Sequence, residues 1–398
     1  CLAMLAVLIR CMQLLALPPG PISLAVLMLA LTPCVWENAC QAEVYTLHGL
    51  LFSGMLWLMI SFDHAPSARK LTALALVAGL SIGNHVTTVL VYPGIALWLL
   101  STWRRRSDLV TIRRVFAMAS AFVAGGAVVL LVFALDRADA YNYLTEVSIG
   151  QAPPLSDAWD RFIWTVTAVQ FRGSSGGLGA LFSVAFPTNV SRELAELASN
   201  NALLLLFGSA GFMLLVLRSP DGSVLLRMRG FFAVTLGLLV LYFSTYLRFF
   251  QPVFFICGWV ILAITSAVLL TEVLQRRLAW WPWTLTVLLY MLLIAGQING
   301  LRRSRTPERE QRAAMLLASI ESNAVVLSTW NDSTLLWFHQ YVRGTNPAVD
   351  VINADVKQWE ALAGKFPNRP IYLERVTEDF DKIGWVPVAG FYKLRPSR

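Results

Sequence analysis

A succession of long apolar runs, separated by short arginine-bearing linkers, constrains this chain more than any motif it carries. A helix needs about 20 apolar residues to cross a bilayer, fewer where its ends are buried. Residues 2–9, 22–34, 46–61, 71–83, 86–103, 115–135, 202–217, 230–247, 253–271 and 278–297 meet or approach that condition. Hydrophobic residues make up 57% of the chain and charged residues 14%, against roughly 25% charged in a soluble domain. The expected fold is mainly α: a polytopic transmembrane helix bundle of about ten helices over residues 1–300. From Leu301 the composition turns polar, marking a small soluble α/β domain over residues 301–398. The opening Cys1-Leu2-Ala3 has neither an initiator methionine nor a basic stretch before its first apolar run, so a missing N-terminal piece is expected.

Lys and Arg concentrate in the cytoplasmic loops of membrane proteins. Arg10, the Arg69-Lys70 pair, the cluster from Arg104 to Arg114, the loop from Arg218 to Arg229 and Arg276-Arg277 then share one side. The alternate connections, residues 35–45, 84–85, 136–201 and 248–252 with everything after 297, share the other, external side. Topology thus accounts for the net charge of +8; the bilayer is the expected partner and nucleic acid is not. Five cysteines show no metal-ligand spacing, so no metal and no cofactor is expected. Cys11 and Cys257 read as small packing residues, and Cys34 and Cys40 are the two placed to pair.

An acid beside membrane helices is costly unless it faces water, a partner or a substrate. The stretch from Trp36 to Tyr45 puts Glu43 at the mouth of the bundle, as a general base, as an orienting acceptor for a substrate hydroxyl, as a partner to His85, or as a cap on the helix starting near Thr46. Glu37 reads as solvated. Asn84-His85 is a two-residue junction on the same face, where His85 is placed to relay a proton or donate to a phosphate, unless it is simply packed. His48, His64 and His339 have no comparable setting in the sequence. Gly79, Gly83 and Gly94 permit close helix approach around that junction.

The loop over residues 136–201 carries Trp159, Phe162, Trp164 and Phe171, a density of aromatics suited to the headgroup region. Within it a surface helix ends in Gln170 and Arg172, whose planar fork matches phosphate oxygens, before a glycine-rich hinge at residues 173–177. Arg248 reads as an interfacial anchor. In the tail, residues 324–328, 349–353, 371–373 and 386–394 read as strands. Helices are expected from Asp332 or Ser333 to Tyr341 and from Asp355 through Leu362. The alternation predicts a small α/β layer that binds or braces and does no chemistry.

In register, these pieces resemble the membrane O-mannosyltransferase-like glycosyltransferases of the GT-C class, found in many bacteria and with a eukaryotic endoplasmic-reticulum member. That family's pattern has Trp followed seven residues later by Glu-Val-Tyr-x-Leu, here Trp36 and Glu43-Val44-Tyr45-Thr46-Leu47. It continues with Gly-Leu-x-x-Gly-Asn-His, here residues 79–85, and a following Pro93. A Pro-Pro pair, then Phe, Val-Thr and Gln-aromatic-Arg, corresponds to Pro153-Pro154, Phe162, Val166-Thr167 and Gln170-Phe171-Arg172. The chain departs from the pattern at Leu155-Ser156-Asp157, where the family has Trp-Gly, and at His48, where it usually has Asn.

The resemblance implies an inverting, metal-independent transfer of a hexose such as mannose from a polyprenyl-phosphate donor to a hydroxyl of a protein or glycan acceptor. It places the work on the external face of a multi-pass protein, such as a bacterial inner-membrane protein with a periplasmic C-terminal domain. The principal acid of that class would lie upstream of Cys1. Glu43 and His85 then take catalytic places, Arg172, Gln170 and Asn84 the donor phosphate, and Trp36, Tyr45 and Trp164 the substrate walls. The rival class is a lipid or solute transporter or flippase, which expects broken helices with polar residues at the midplane and repeated halves; neither is legible in the sequence. A catalytically incomplete fragment is the third reading.

Overall fold

The computed structural model describes residues 1–39, 44–109, 111–137, 157–167, 182–183, 185–218, 223–245, 252–275, 291, 307–354, 356–376 and 384–394. Apart from Met291, the predicted span at 278–297 lies outside them. The chain divides into two compact units, Cys1–Leu130 with Val166–Ile298, and Leu131–Thr165 with Asn299–Arg398.

The helices in chain order are α1 (Leu2–Leu14), α2 (Pro19–Ala30), α3 (Pro33–Ala39), α4 (Val44–His64), α5 (Ala68–Asn84), α6 (Tyr92–Arg105), α7 (Ile112–Gly126), α8 (Leu130–Arg137), α9 (Ala158–Val166), α10 (Phe186–Leu217), α11 (Val224–Ser244) and α12 (Ile256–Gln275). Among the described residues, six helical segments are long and apolar enough to cross a membrane, or seven if the α2–α3 pair, bent by 70°, counts as one broken span. The protein is a multi-pass membrane protein. Helix starts follow local chemistry. Proline opens α2, α3 and α10, where its missing N–H costs nothing. Ser67 and Ser223 cap α5 and α11 by accepting the backbone N–H of Lys70 and Leu226.

Helix α12 is the hub of the first unit, apolar on every side and almost wholly buried, which is the pattern of a helix enclosed by others. Close backbone contacts set the pairings around it. A Cβ at Gly79 of α5 would stand 2.0 Å from the Phe122 carbonyl oxygen of α7, and one at Gly125 would stand 2.3 Å from the Leu76 carbonyl. Gly94 brings α6 against Phe231 and Thr235 of α11 in the same way. At one end of the unit Asp63, near the end of α4, accepts a hydrogen bond from Trp98 Nε1 at 3.3 Å and pairs with Arg105 at 3.4 Å and Arg227 at 3.5 Å. Lys70 joins that end by donating to the carbonyls of Ser61 and Ala65. Three of the basic clusters that predicted one common face therefore meet at one end of the bundle.

Helix α10 is broken at Asn201, whose φ of −160° and ψ of 83° leave the helical region. The break falls where hydropathy predicted the span to begin, but residues 186–200, expected as loop, continue as helix on its far side. Asn201 caps the second half by accepting the Leu204 N–H at 2.9 Å, and donates to the Met28 carbonyl and Thr32 Oγ1 at 2.9 and 3.0 Å. Asn200 accepts the Cys34 N–H at 3.3 Å, so the kink is seated on the corner between α2 and α3. Cys34 is a buried free thiol; Cys40 lies outside the described residues.

The second unit holds α8, α9 and the C-terminal domain. Phe133 of α8 meets Trp159 and Phe162 of α9 edge-on at 5.9 and 5.5 Å. In the C-terminal domain, α13 (Pro307–Ser319), α14 (Trp330–Trp337) and α15 (Trp359–Ala363) accompany a five-stranded mixed sheet. Its strands are β1 (Val325–Ser328), β2 (Asp350–Asn353), β3 (Ile371–Leu373), β4 (Trp385–Val388) and β5 (Phe391–Leu394), in spatial order β2-β1-β3-β5-β4. β1 runs parallel to β2 and β3; β5 is antiparallel to β3 and β4.

The segment expected as one strand at 386–394 is a hairpin instead, because Ala389 (φ 50°) and Gly390 (φ 80°) form its two-residue turn. Thr329, one position beyond β1, is the N-cap of α14, and Asp332 lies inside that helix instead of capping it. Where such sheets usually hold a ligand, at the carboxyl ends of the parallel strands, Glu374 accepts the backbone N–H and the hydroxyl of Thr329 at 2.6 and 2.7 Å. The protein's own carboxylate fills that helix N-terminus.

Candidate functional site

Opposite the Asp63 end, the first unit gathers its polar and aromatic side chains around the junction between α5 and α6. His85 ends α5 in extended conformation and precedes a 3-10 turn, Val86–Val91. Its ring packs on Tyr45 at 5.2 Å, on His48 at 5.1 Å with the planes 29° apart, and on Phe254 at 6.5 Å. Tyr45 and His48 are three residues apart and so share one face of α4. Phe254, in the Pro252–Phe255 turn before α12, closes the third side and also stacks on Phe243 of α11.

Hydrogen bonds fix the state of both imidazoles. A backbone N–H can only donate, so His85 Nδ1, which takes the Thr87 N–H at 3.4 Å and lies 2.6 Å from the Thr87 hydroxyl, is the acceptor nitrogen. The proton of the neutral ring then sits on Nε2, which has no hydrogen-bond partner among the described residues. His48 is 2% exposed. The Thr88 hydroxyl donates to the Ser81 carbonyl at 3.1 Å, leaving its oxygen to accept from His48 Nδ1 at 3.3 Å; His48 Nε2 then accepts from the Cys257 thiol at 3.2 Å. One chain of polar contacts runs from Cys257 through His48 and Thr88 to Ser81 beneath His85. Two stacked imidazolium ions in so dry a place would repel strongly.

Of the residues singled out in the sequence, Tyr45, Asn84 and His85 come together here. Asn84 Nδ2 donates to the Val44 carbonyl at 3.2 Å and so ties the end of α5 to the start of α4. Trp36 stands on α3, 43% exposed, in a helix that packs against α4 and the Pro252–Phe255 turn. Trp164 is buried on α9 in the other unit. Glu43, Gln170, Arg172 and Arg248 lie outside the described residues. No group of metal-binding side chains occurs among the described residues.

Three residues of the cluster escaped the sequence reading. His48 was set aside as lacking a setting, yet its spacing from Tyr45 already placed both on one helix face. Cys257 and Phe254 carried no signal, because only the folded chain brings a residue more than 150 positions away onto the α4 face. Chemically, the arrangement offers one free N–H donor, His85 Nε2, held by aromatic walls and backed by a neutral ring. Such a donor suits an oxygen that becomes negative during a reaction.

No curated protein matches this chain closely enough to count as a relative. Residues 16–110, which carry α2 to α6 with Trp36, Tyr45, His48, Asn84 and His85, match the family model described as the protein O-mannosyl-transferase TMEM260 N-terminal domain.

Proposed function

We propose that this protein is a glycosyltransferase that moves a hexose, mannose by the family's description, from a polyprenyl-phosphate donor to an acceptor hydroxyl at the His85 end of the bundle. The observation that carries this reading is the position of His85: a neutral imidazole at a helix junction, inside the family-matched stretch, with an unpaired N–H at the end of the unit opposite the arginines of the Asp63 network. In an inverting transfer the acceptor oxygen attacks the anomeric carbon, the bond to the phosphate oxygen breaks, and the polyprenyl phosphate leaves with the electron pair. His85 Nε2–H stabilises that phosphate, with Asn84, Gln170 and Arg172 serving the donor, Trp36 and Tyr45 as substrate walls, and Glu43 a further carboxylate of the reaction. The hydroxyl proton goes to a carboxylate. By the distribution of basic residues this end faces away from the cytoplasm, and no metal or cofactor enters the reaction.

The test is transfer from radiolabelled polyprenyl-phosphate mannose by the full-length protein in nanodiscs. Wild type should turn over, and Arg172→Ala and His85→Ala should each fall by a factor of about 100 to 1,000, the range set by loss of one donor to a developing oxyanion. Normal rates in both variants would dismiss the assigned donor site. A transport reading gains two observations from the structure, since α10 is broken at Asn201 and α2–α3 is sharply bent, as helices of transporters are. Movement of labelled lipid across sealed vesicles, without transfer, would favour it.

A further inference from the structure

Helix α10 carries an acid that the site described above does not use. Glu193 is 2% exposed and Asn189, one turn before it, 6% exposed. Glu193 Oε2 accepts the Ser244 hydroxyl at 2.6 Å. Among the described residues, Glu193 Oε1 and Asn189 Nδ2 are buried with no hydrogen-bond partner. Buried polar atoms are nearly always paired in folded proteins, and a carboxylate orphaned in an apolar interior is among the costliest exceptions. Here an acceptor and a donor, on one helix face four residues apart, are both open and do not bond each other. A hydroxyl group satisfies both at once, donating to Oε1 and accepting from Nδ2.

The place matches the candidate site. Ser244 is the last residue of α11; its neighbour Phe243 stacks at 6.1 Å on Phe254, which packs on Tyr45 and His85. The Asn201 break and its bonds to Met28 and Thr32 hold the Glu193 half of α10 on this side. We infer that Glu193 and Asn189 form a hydroxyl-binding subsite for a sugar-bearing substrate, filled by a hydroxyl of the donor's hexose or of the acceptor. This rests on the transferase reading for the identity of the ligand, and on the two orphaned atoms for its chemistry.

The experiment uses the full-length protein in nanodiscs with Glu193→Leu, Asn189→Leu and the milder Glu193→Gln, the last serving if the leucine variants do not fold. Binding of labelled polyprenyl-phosphate mannose and transfer against acceptor concentration are measured separately. If the donor's hexose fills the subsite, donor Kd rises at least tenfold in the variants. If the acceptor does, donor Kd holds and acceptor KM rises at least tenfold. Both constants within twofold of wild type, in a folded variant, overturn the inference, and a raised melting temperature with them marks the pair as a seat for buried water. Should wild type neither bind nor transfer the donor, the transferase reading falls on its own. The subsite is then judged by melting temperature: octyl mannoside should stabilise wild type more than a hydroxyl-free octyl detergent, with the difference lost in Glu193→Leu. No difference in wild type overturns it.

Discussion

Asn201 is where one side chain decides the path of a whole helix. Replacing it with alanine removes two donated hydrogen bonds, to the Met28 carbonyl and Thr32 Oγ1, and the accepted bond that caps Leu204. A typical intramolecular hydrogen bond contributes about 1 kcal/mol net, so the three together amount to roughly 3 kcal/mol if they act independently. Alanine also permits α10 to run straight, which returns an intrahelical partner to the Leu204 N–H but pulls Asn200 from the Cys34 N–H. The expected loss is then about 2 to 3 kcal/mol. Asn201→Asp separates tether from cap. It keeps an acceptor for Leu204 but turns a carboxylate toward Met28 O and Thr32 Oγ1, so it should be at least as damaging as alanine. Asn201→Ser keeps the cap and loses the tether, and should fall between alanine and wild type. Unfolding of the purified protein by denaturant titration in mild detergent, with one probe in the helical unit, gives the ranking. An alanine variant within 0.5 kcal/mol of wild type, or an aspartate variant of full stability, would show that neighbouring packing and not Asn201 makes the break.

Two further outcomes follow from the packing and charges. Gly79→Ala should destabilise the helical unit by about 1–3 kcal/mol, because its Cβ would meet the Phe122 carbonyl oxygen at 2.0 Å, whereas at Gly237 nothing lies within 4 Å of an added Cβ; Gly237→Ala should be neutral or stabilising by up to about 1 kcal/mol, and equal effects in the same titration would refute the backbone contact. In the C-terminal domain, hydrogen bonds from Lys393 and Tyr372 hold the Glu321 carboxyl down at about 2 from the usual 4.5. A depressed carboxylate stabilises above its unfolded pKa, so the contribution is full above pH 4.5 and lost as pH falls towards 2. Because both charged side chains are solvent-accessible, it is on the order of 1 kcal/mol after screening, and hydrogen exchange of β1 and β3 amides in wild type and Glu321→Gln should converge at the acid end.

What the sequence made legible is what is local or written in hydropathy. Of the ten spans expected from apolar length, six, or seven with the bent α2–α3 pair, are long and apolar enough to cross a membrane among the described residues, and the charged tail forms an α/β domain with β1, β2 and β3 within a residue of their expected places. Glycine spacing on α5 and α6 foretold the tight contacts of that hairpin. The hairpin at β4–β5 was missed because Val386 to Leu394 is apolar almost throughout, and the turn depends on positive φ at Ala389, which a sequence pattern does not advertise. The helical continuation at residues 186–200 was missed for a related reason: its polar face looked like loop, while Asn200 accepts from Cys34 of α3 and Glu193 from Ser244 of α11. Tertiary packing, not propensity, supplies most of the stability of such a helix.

The site divides along the same line. Tyr45, Asn84 and His85 were visible because they sit at the ends of helices, where a short polar interruption stands out against apolar neighbours. Their partners were not, because His48, Cys257 and Glu193 lie within helical segments, where a single polar residue reads as incidental until its contacts are known. Those contacts share one logic. His48 is admissible at 2% exposure because Thr88 and Cys257 complete its hydrogen bonds, and Asn201 is admissible because it caps one helix and tethers another. Glu193 and Asn189 reach the same depth with one atom each left open, as the hydroxyls of Ser53, Thr235 and Ser266 do, but theirs are a carboxylate acceptor and an amide donor on one helix face. An open carboxylate acceptor beside an open amide donor is the arrangement that suits a ligand hydroxyl, and it lies on the same side of the bundle as His85.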